Sequence, residues 1–217
     1  MPPPDGPEGI GFSPSSGPDQ PERSAALLEA AFTMAAASGG RLVLVVSGSS
    51  MKPSLDDGDA VLVEPAPSGI ACGDVVIVAD GRAGLVVHRH VGASRPAGSA
   101  APLLCRGDGR MDLDPPFAAA TLRGRAVALR RAGSWWSLER PAARAWARAV
   151  ALHDRFWARI AGAVRRPALL RRLAGACDRR FLRLVDAALF RAVHARIEPP
   201  GEGDGARWYT ARTGQTT

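Results

Sequence analysis

Lysine is almost missing from this sequence. Of 28 basic residues only Lys52 is a lysine, so a lysine general base is available at one position alone. Cysteine is scarce too. Cys72, Cys105 and Cys177 are odd in number, widely spaced and form no CxxC pair, which argues against a disulfide framework and against a structural zinc site. Nowhere does the chain run for about 18 apolar residues without a charge, the length that a membrane span requires. The best candidate, residues 25–46, is broken by Glu29, Arg41 and the Gly39–Gly40 pair. The opening "MPPPDGPEG" has neither the basic start nor the apolar centre of a secretory signal. These absences predict a cytoplasmic protein without a membrane anchor.

What is present suffices for one core and a small accessory unit. The 217 residues are 46% hydrophobic and carry a net charge of +7, which fits a folded chain. Residues 1–23, rich in Pro, Gly, Ser and acid, read as disordered. Residues 24–40 read as a short Ala- and Leu-rich helix stopped at Gly39–Gly40. From 41 to 138 the pattern changes to short β-branched runs between turns: "RLVLVV", "DAVLVEP", "GDVVIVAD", "GLVVHRHV", "APLLCRG", "LRGRAVAL" and "SWWSL". Their spacing predicts a β-rich domain, a sandwich or small barrel.

Residues 139–198 switch to a helical period. Trp146, Val150, Phe156 or Trp157, Ile160 and Val164 recur at three- and four-residue steps, as do Phe181, Val185, Leu189, Val193 and Ile197. The pattern predicts two or three amphipathic helices, broken near Pro167 and Gly175. From Arg140 to Glu198 fourteen arginines face four acids, a net of +10. The favoured reading is a helical unit packed on the β domain with arginine on its solvated face. Peripheral contact with an anionic membrane is the alternative; no nucleic-acid motif is recognised. Residues 199–217 read as a flexible tail.

The stretch "SGSSMKPSLDDGD", Ser47 to Asp59, follows directly on a predicted buried strand. Read alone it is a turn. Read as chemistry, it is a serine held at a strand end. Serine is a poor nucleophile that needs a base within hydrogen-bond reach and donors for the developing oxyanion. "GLVVHRHV" supplies His88 on a strand, with Val86 and His90 on the same face by period-two alternation. "CRGDGRMDLDPP" supplies Asp108, Asp112 and Asp114. Histidine is the natural base near neutral pH, and a carboxylate can fix its tautomer.

These stretches, with "LRGRAVAL" after them, resemble the sequence boxes of type I signal peptidases, in the same order, over about Val43 to Leu129. That family shares its β-rich catalytic domain with LexA-like self-cleaving repressors. The resemblance implies a serine endopeptidase with Ser50, the serine before Met51, as nucleophile. Most bacterial members use a lysine base, whereas the Ser/His/Asp branch has histidine in "HR". His88 and Arg89 match that branch, and Asp108 and Asp114 match its two aspartates. Either of them is a candidate to orient His88. Gly48 stands where many members carry a serine hydroxyl, so backbone N–H groups from Gly48 to Ser50 would hold the oxyanion. Ser49, Met51 and Pro53 complete the candidate oxyanion and substrate-binding stretch, and Gly109 replaces the family's asparagine. By resemblance the substrate is an extended peptide or protein segment with small residues before the cut, added as a strand at a sheet edge. No metal or organic cofactor is implied. A catalytically inactive binding or regulatory module on the same fold, or a LexA-like self-cleaving regulator, is the alternative.

Overall fold

A computed structural model of the chain describes residues 20–80, 84–110, 112–163, 190–198 and 207–212. Two helices, α1 (Gln20–Ala37) and α2 (Pro141–Ala163), accompany eleven strands among these residues. The strands are β1 (Leu42–Val45), β2 (Ala60–Pro65), β3 (Gly69–Ile70), β4 (Val75–Asp80), β5 (Gly84–His90), β6 (Arg95–Pro96), β7 (Cys105–Arg106), β8 (Leu122–Arg131), β9 (Ser134–Ser137), β10 (Arg196–Ile197) and β11 (Arg207–Arg212). The fold is mainly β with a helical C-terminal part, as the sequence predicts.

The main sheet runs in the order β11-β1-β2-β8-β4-β5-β7, and β3 and β6 form a separate pair. β8 bonds β2 along one side and divides its other side between β4 at residues 122–125 and β9 at residues 128–131. Sharing one strand between two neighbours curls the sheet on itself. Register shifts at Leu62/Val63 and Ile77/Val78 mark where β8 bends, because an extra residue on one strand increases local twist.

The predicted alternation decides the core. Leu42 and Leu44 of β1, Val61 and Val63 of β2, and Val75 and Ile77 of β4 share one buried cluster with Ala31 and Phe32 of α1. Their sequence neighbours point the other way. Val43, Ala60 and Leu62 pack with Trp135, while Val76 and Val78 pack with Leu103 and Cys105. Period-two side chains with both faces covered give runs of valine and leucine rather than a polar-apolar stripe. Each such side chain contributes about 1.5–3 kcal/mol by leaving water.

Helix α2 docks on this sheet through a face that includes Val150 of the predicted pattern but not Phe156. Ala143, Val150, Ala151 and Asp154 are buried, whereas Phe156 is 59% exposed and Trp146 is half-buried. The cause is a close approach at Gly73. A Cβ there would lie 2.6 Å from the Ala147 carbonyl carbon and the Arg148 nitrogen, and φ is +104°. Only glycine opposite small helix residues permits that distance. The further helices expected beyond residue 163, with breaks near Pro167 and Gly175, fall mostly outside the described residues. At their end Phe190 is buried between Trp136, Arg131 and His194, and β10 pairs with β9.

Two boundaries differ from expectation. α1 begins at Gln20 rather than 24. Within the stretch read as a tail, "RWYTAR" forms β11 beside β1. Its aromatic and β-branched residues favour a strand, and the edge of β1 offers unpaired backbone groups. The "PPGEGDG" before it dominates the composition of the segment and hides this. Among the described residues no helix is long and apolar enough to cross a membrane.

Candidate active site

The sequence "VVSGSSMKPSLDDGD" is a strand end tied back on itself. Val46 donates its N–H to the Asp59 carbonyl at 2.8 Å and accepts from Gly58 at 2.9 Å, which carries the β1–β2 ladder one step past Val45. The chain then reverses at Gly48, whose φ of +101° lies in the left-handed region. The acidic turn has a mechanical role. Asp57 Oδ1 accepts the Gly48 N–H at 2.8 Å, and Asp59 Oδ2 accepts the Asp56 N–H at 2.9 Å and two donors of Arg131. Met51 and Leu55 are sunk in the main core and are joined by a 3.0 Å backbone bond, which pins the turn from below.

Ser50 is left half-buried at the top of this turn, and Ser49 is exposed. Ser50 Oγ lies 3.1 Å from His88 Nε2, and His88 Nδ1 lies 2.5 Å from Asp114 Oδ2. A carboxylate only accepts, so the Nδ1 contact requires the ring proton on Nδ1 and leaves Nε2 free to accept from the serine hydroxyl. Asp114 is anchored by its own N–H on the Cys105 carbonyl at 3.0 Å. Serine, imidazole and carboxylate thus stand in one hydrogen-bonded line. Such a line can remove a proton from the hydroxyl and hold the resulting imidazolium.

The other predicted aspartate stands elsewhere. Asp108 is fully buried and accepts from Arg89 Nε at 2.9 Å and Nη2 at 2.6 Å. Arg89 also donates to the Gly73 carbonyl at 2.7 Å and the Ser54 hydroxyl at 3.1 Å. The structure therefore brings Asp114, and not Asp108, to His88. Consecutive residues of a strand face opposite ways, which sends His88 and Arg89 to different partners. Asp112 is exposed.

Asp108 still bears on the site through its neighbours. Gly109 donates its N–H to the Ser50 carbonyl at 2.8 Å. A Cβ on Gly107 would lie 2.5 Å from that carbonyl oxygen and 3.0 Å from His88 Nε2. Only glycine fits between the Ser50 backbone and the His88 ring. Gly109 is equally confined, with Ser49 and Ser50 carbonyls 2.9 and 3.2 Å from its missing Cβ. An asparagine side chain at that position would meet these atoms.

The remaining predicted residues divide. The Gly48 N–H is committed to Asp57, so the expected oxyanion donor at Gly48 is spent, whereas the Ser50 N–H has no acceptor among the described residues. Met51 faces the core and not a substrate surface; Pro53 is half-buried. Lys52 pairs with Asp56 at 3.3 Å on its own turn. His90, on the same face as His88, lies 2.9 Å from the Ala93 carbonyl, and burial holds its pKa below the usual value. Burial pushes the Cys105 thiol up to about 12, which leaves it inert as a nucleophile.

Two residues escaped the sequence reading. Arg106 and Asp154 form a buried pair at 3.2 Å, and Arg106 Nη1 also donates to the Asp154 carbonyl at 3.0 Å. This joins α2 to the strand that leads into Gly107. Burial, and then the charge of Asp108, raise the Asp154 carboxyl to about 6 against the pull of Arg106 and Arg89. One signal was present. Asp154 is the lone acid among the arginines between residues 140 and 177.

A family model described as Peptidase S24-like matches residues 14–91 of the chain. The matched span takes in α1, Ser50 and His88 and stops before Asp114. It supports a serine peptidase or LexA-like self-cleaving regulator fold for the β-rich part. No curated protein and no solved structure matches the chain.

Proposed function

We propose that the chain is a serine endopeptidase working through Ser50, His88 and Asp114. The observation that carries this reading is the unbroken line Ser50 Oγ, His88 Nε2, His88 Nδ1, Asp114 Oδ2, at 3.1 and 2.5 Å. Ser50 Oγ attacks the scissile carbonyl as its proton passes to His88 Nε2. The imidazolium formed is held by Asp114, and it returns the proton to the departing amine. The Ser50 N–H stabilises the tetrahedral oxyanion, with Gly48 helping only by the backbone reversal it permits. Water then repeats the sequence to release the acyl group.

Resemblance to signal peptidases supports an extended peptide substrate with small residues before the cut. The S24-like match favours self-cleavage as a second reading. A fluorophosphonate probe and a set of extended peptides test the proposal together. Labelling at Ser50, located by peptide mass mapping, and its loss in Ser50→Ala are expected. Labelling of Ser49 instead, or none of Ser50 in the folded protein, would refute it. Intact-mass measurement of the purified chain over time decides between cleavage of other peptides and of itself.

A further inference from the structure

One pairing in the main sheet differs from the rest. Every described strand pair is antiparallel except β1 with β11. β2 holds one side of β1, and the other side is taken by a segment more than 160 residues later in the chain. The register pairs Leu42 with Arg207, Val43 with Trp208 and Val45 with Arg212.

Direction gives this pairing its meaning. β1 ends at Val45 and leads to Ser50 five residues on. In a parallel pair β11 runs in the same direction as β1, towards the nucleophile turn. An extended peptide that brought a carbonyl to Ser50 along this side of the sheet would need the backbone groups of β1 that β11 now engages. We infer that β11 is a cis-acting occupant of the substrate edge, a segment of this chain that must leave β1 before a peptide can be cut. The inference rests on the serine peptidase reading for its consequence, though the edge occupancy itself does not.

The hold of β11 on β1 suits displacement. β2 pairs with β1 residue for residue from 42 to 45. Opposite β11 the register slips, with a two-residue step from Val43 to Val45 set against a four-residue step from Trp208 to Arg212. A broken ladder makes fewer regular bonds than a continuous one. Tethering compensates, since a segment joined by a short linker competes at an effective concentration in the millimolar range. An edge open about a tenth of the time weakens the apparent binding of substrate about tenfold.

The test uses the full chain. Prolines at Arg207→Pro and Trp208→Pro remove two consecutive N–H donors in the regularly paired part opposite Leu42 and Val43, one of which faces β1 because alternate residues bond to each side. On an extended peptide substrate the double variant should show KM lower by about tenfold with kcat within about twofold. A synthetic peptide of residues 206–217 should then restore the high KM competitively. A second arm needs no catalysis. In the Ser50→Ala background, the labelled 206–217 peptide should bind the proline variant and not the chain with intact β11, as read by fluorescence anisotropy. This arm separates the inference from the peptidase reading, since it decides even if neither chain cuts anything. Unchanged KM together with no peptide binding would overturn the inference. So would loss of cooperative unfolding in the proline variant, which would make β11 a structural strand.

Discussion

His88 and Arg89 are neighbours on β5, yet they build opposite kinds of surroundings. Around Arg89, Nε, Nη1 and Nη2 all donate, to Asp108, the Gly73 carbonyl and the Ser54 hydroxyl, and the pair is closed to solvent. Around His88, the chain of bonds runs outward and ends on a half-buried hydroxyl. A saturated cluster resists change and fixes position; an open-ended one can pass a proton. The two meet at Gly107–Gly109, where the loop held by Arg89 presses on the Ser50 carbonyl. Scaffold and chemistry thus share one strand and are separated by its period of two.

The largest expected effects test that separation on the reactive side. Asp114→Asn should lower kcat/KM by about 10⁴-fold, because the amide favours the wrong imidazole tautomer. Ser50→Ala and His88→Ala should lose at least as much, whereas Ser49→Ala and His90→Ala keep most of the activity. Peptide cleavage followed by mass spectrometry checks each. Should Asp108→Asn remove activity in a chain of unchanged stability while Asp114→Asn spares it, the two aspartates would have to exchange roles.

On the closed side the expected loss is of stability. Asp108→Ala leaves the Arg89 guanidinium buried without its carboxylate, and such uncompensated charges cost about 3–5 kcal/mol. Urea unfolding should show this as a lowered midpoint. The double variant Arg89→Met/Asp108→Leu should recover much of it, since an apolar pair of similar volume removes both desolvation penalties. If Asp108→Ala unfolds at the wild-type midpoint, the closed cluster is no scaffold.

How much of this division was legible in the sequence depends on what decides each part. β-branched runs between turns specify strands locally, so β1, β2, β4, β5, β8 and β9 fall where the pattern predicts. That Ser50 and His88 would meet was legible because motif and strand period agree. The choice between Asp108 and Asp114 was not, since both lie in one turn-rich segment and only the path of the loop over Ser50 separates them. The buried face of α2 was hidden for a different reason. Its face is set by the close approach of Ala147 to the backbone at Gly73, a contact between distant segments, with Ala143 and Ala151 buried on the same side. β11 was masked by the Gly- and acid-rich stretch before it.

A smaller effect probes the link between α2 and the closed cluster. Asp154 holds its proton to about pH 6 when folded, because burial disfavours its charge, against 3.8 for an ordinary aspartate. As pH rises from about 4 to about 6 the unfolded chain loses this proton first and binds fewer protons than the folded one. Stability therefore falls across that window. The contribution is up to about 3 kcal/mol. Asp154→Asn cannot titrate, so its urea midpoint should fall less between pH 4 and pH 7 than that of the unaltered chain. Equal slopes would show that Asp154 is ionised throughout and that the Arg106 pair outweighs burial.

The smallest effect concerns the outer side of α2, the counterpart of its docked face. Leu152 and Phe156 are 49% and 59% exposed and stand four residues apart, with Arg148, Arg155 and Arg159 in the same stretch. Residues four apart lie on one side of a helix, so a short apolar strip is bordered by cations. Stable attachment to a bilayer takes more than that. Burying one such side chain fully contributes about 1.5–3 kcal/mol, and each arginine near an anionic surface about 1 kcal/mol before salt screens it. The face opposite is already engaged with the sheet at Gly73 and Arg106, so the helix cannot roll to present more. The double variant Leu152→Ser/Phe156→Ser should keep peptide cleavage and shift stability by no more than about 1 kcal/mol. The unaltered chain should sediment weakly with anionic vesicles at low salt and not at all at about 0.5 M, where the screening length falls below about 5 Å. Sedimentation that persists at high salt and vanishes in the double variant would mean that the outer face of α2 is a membrane surface in its own right.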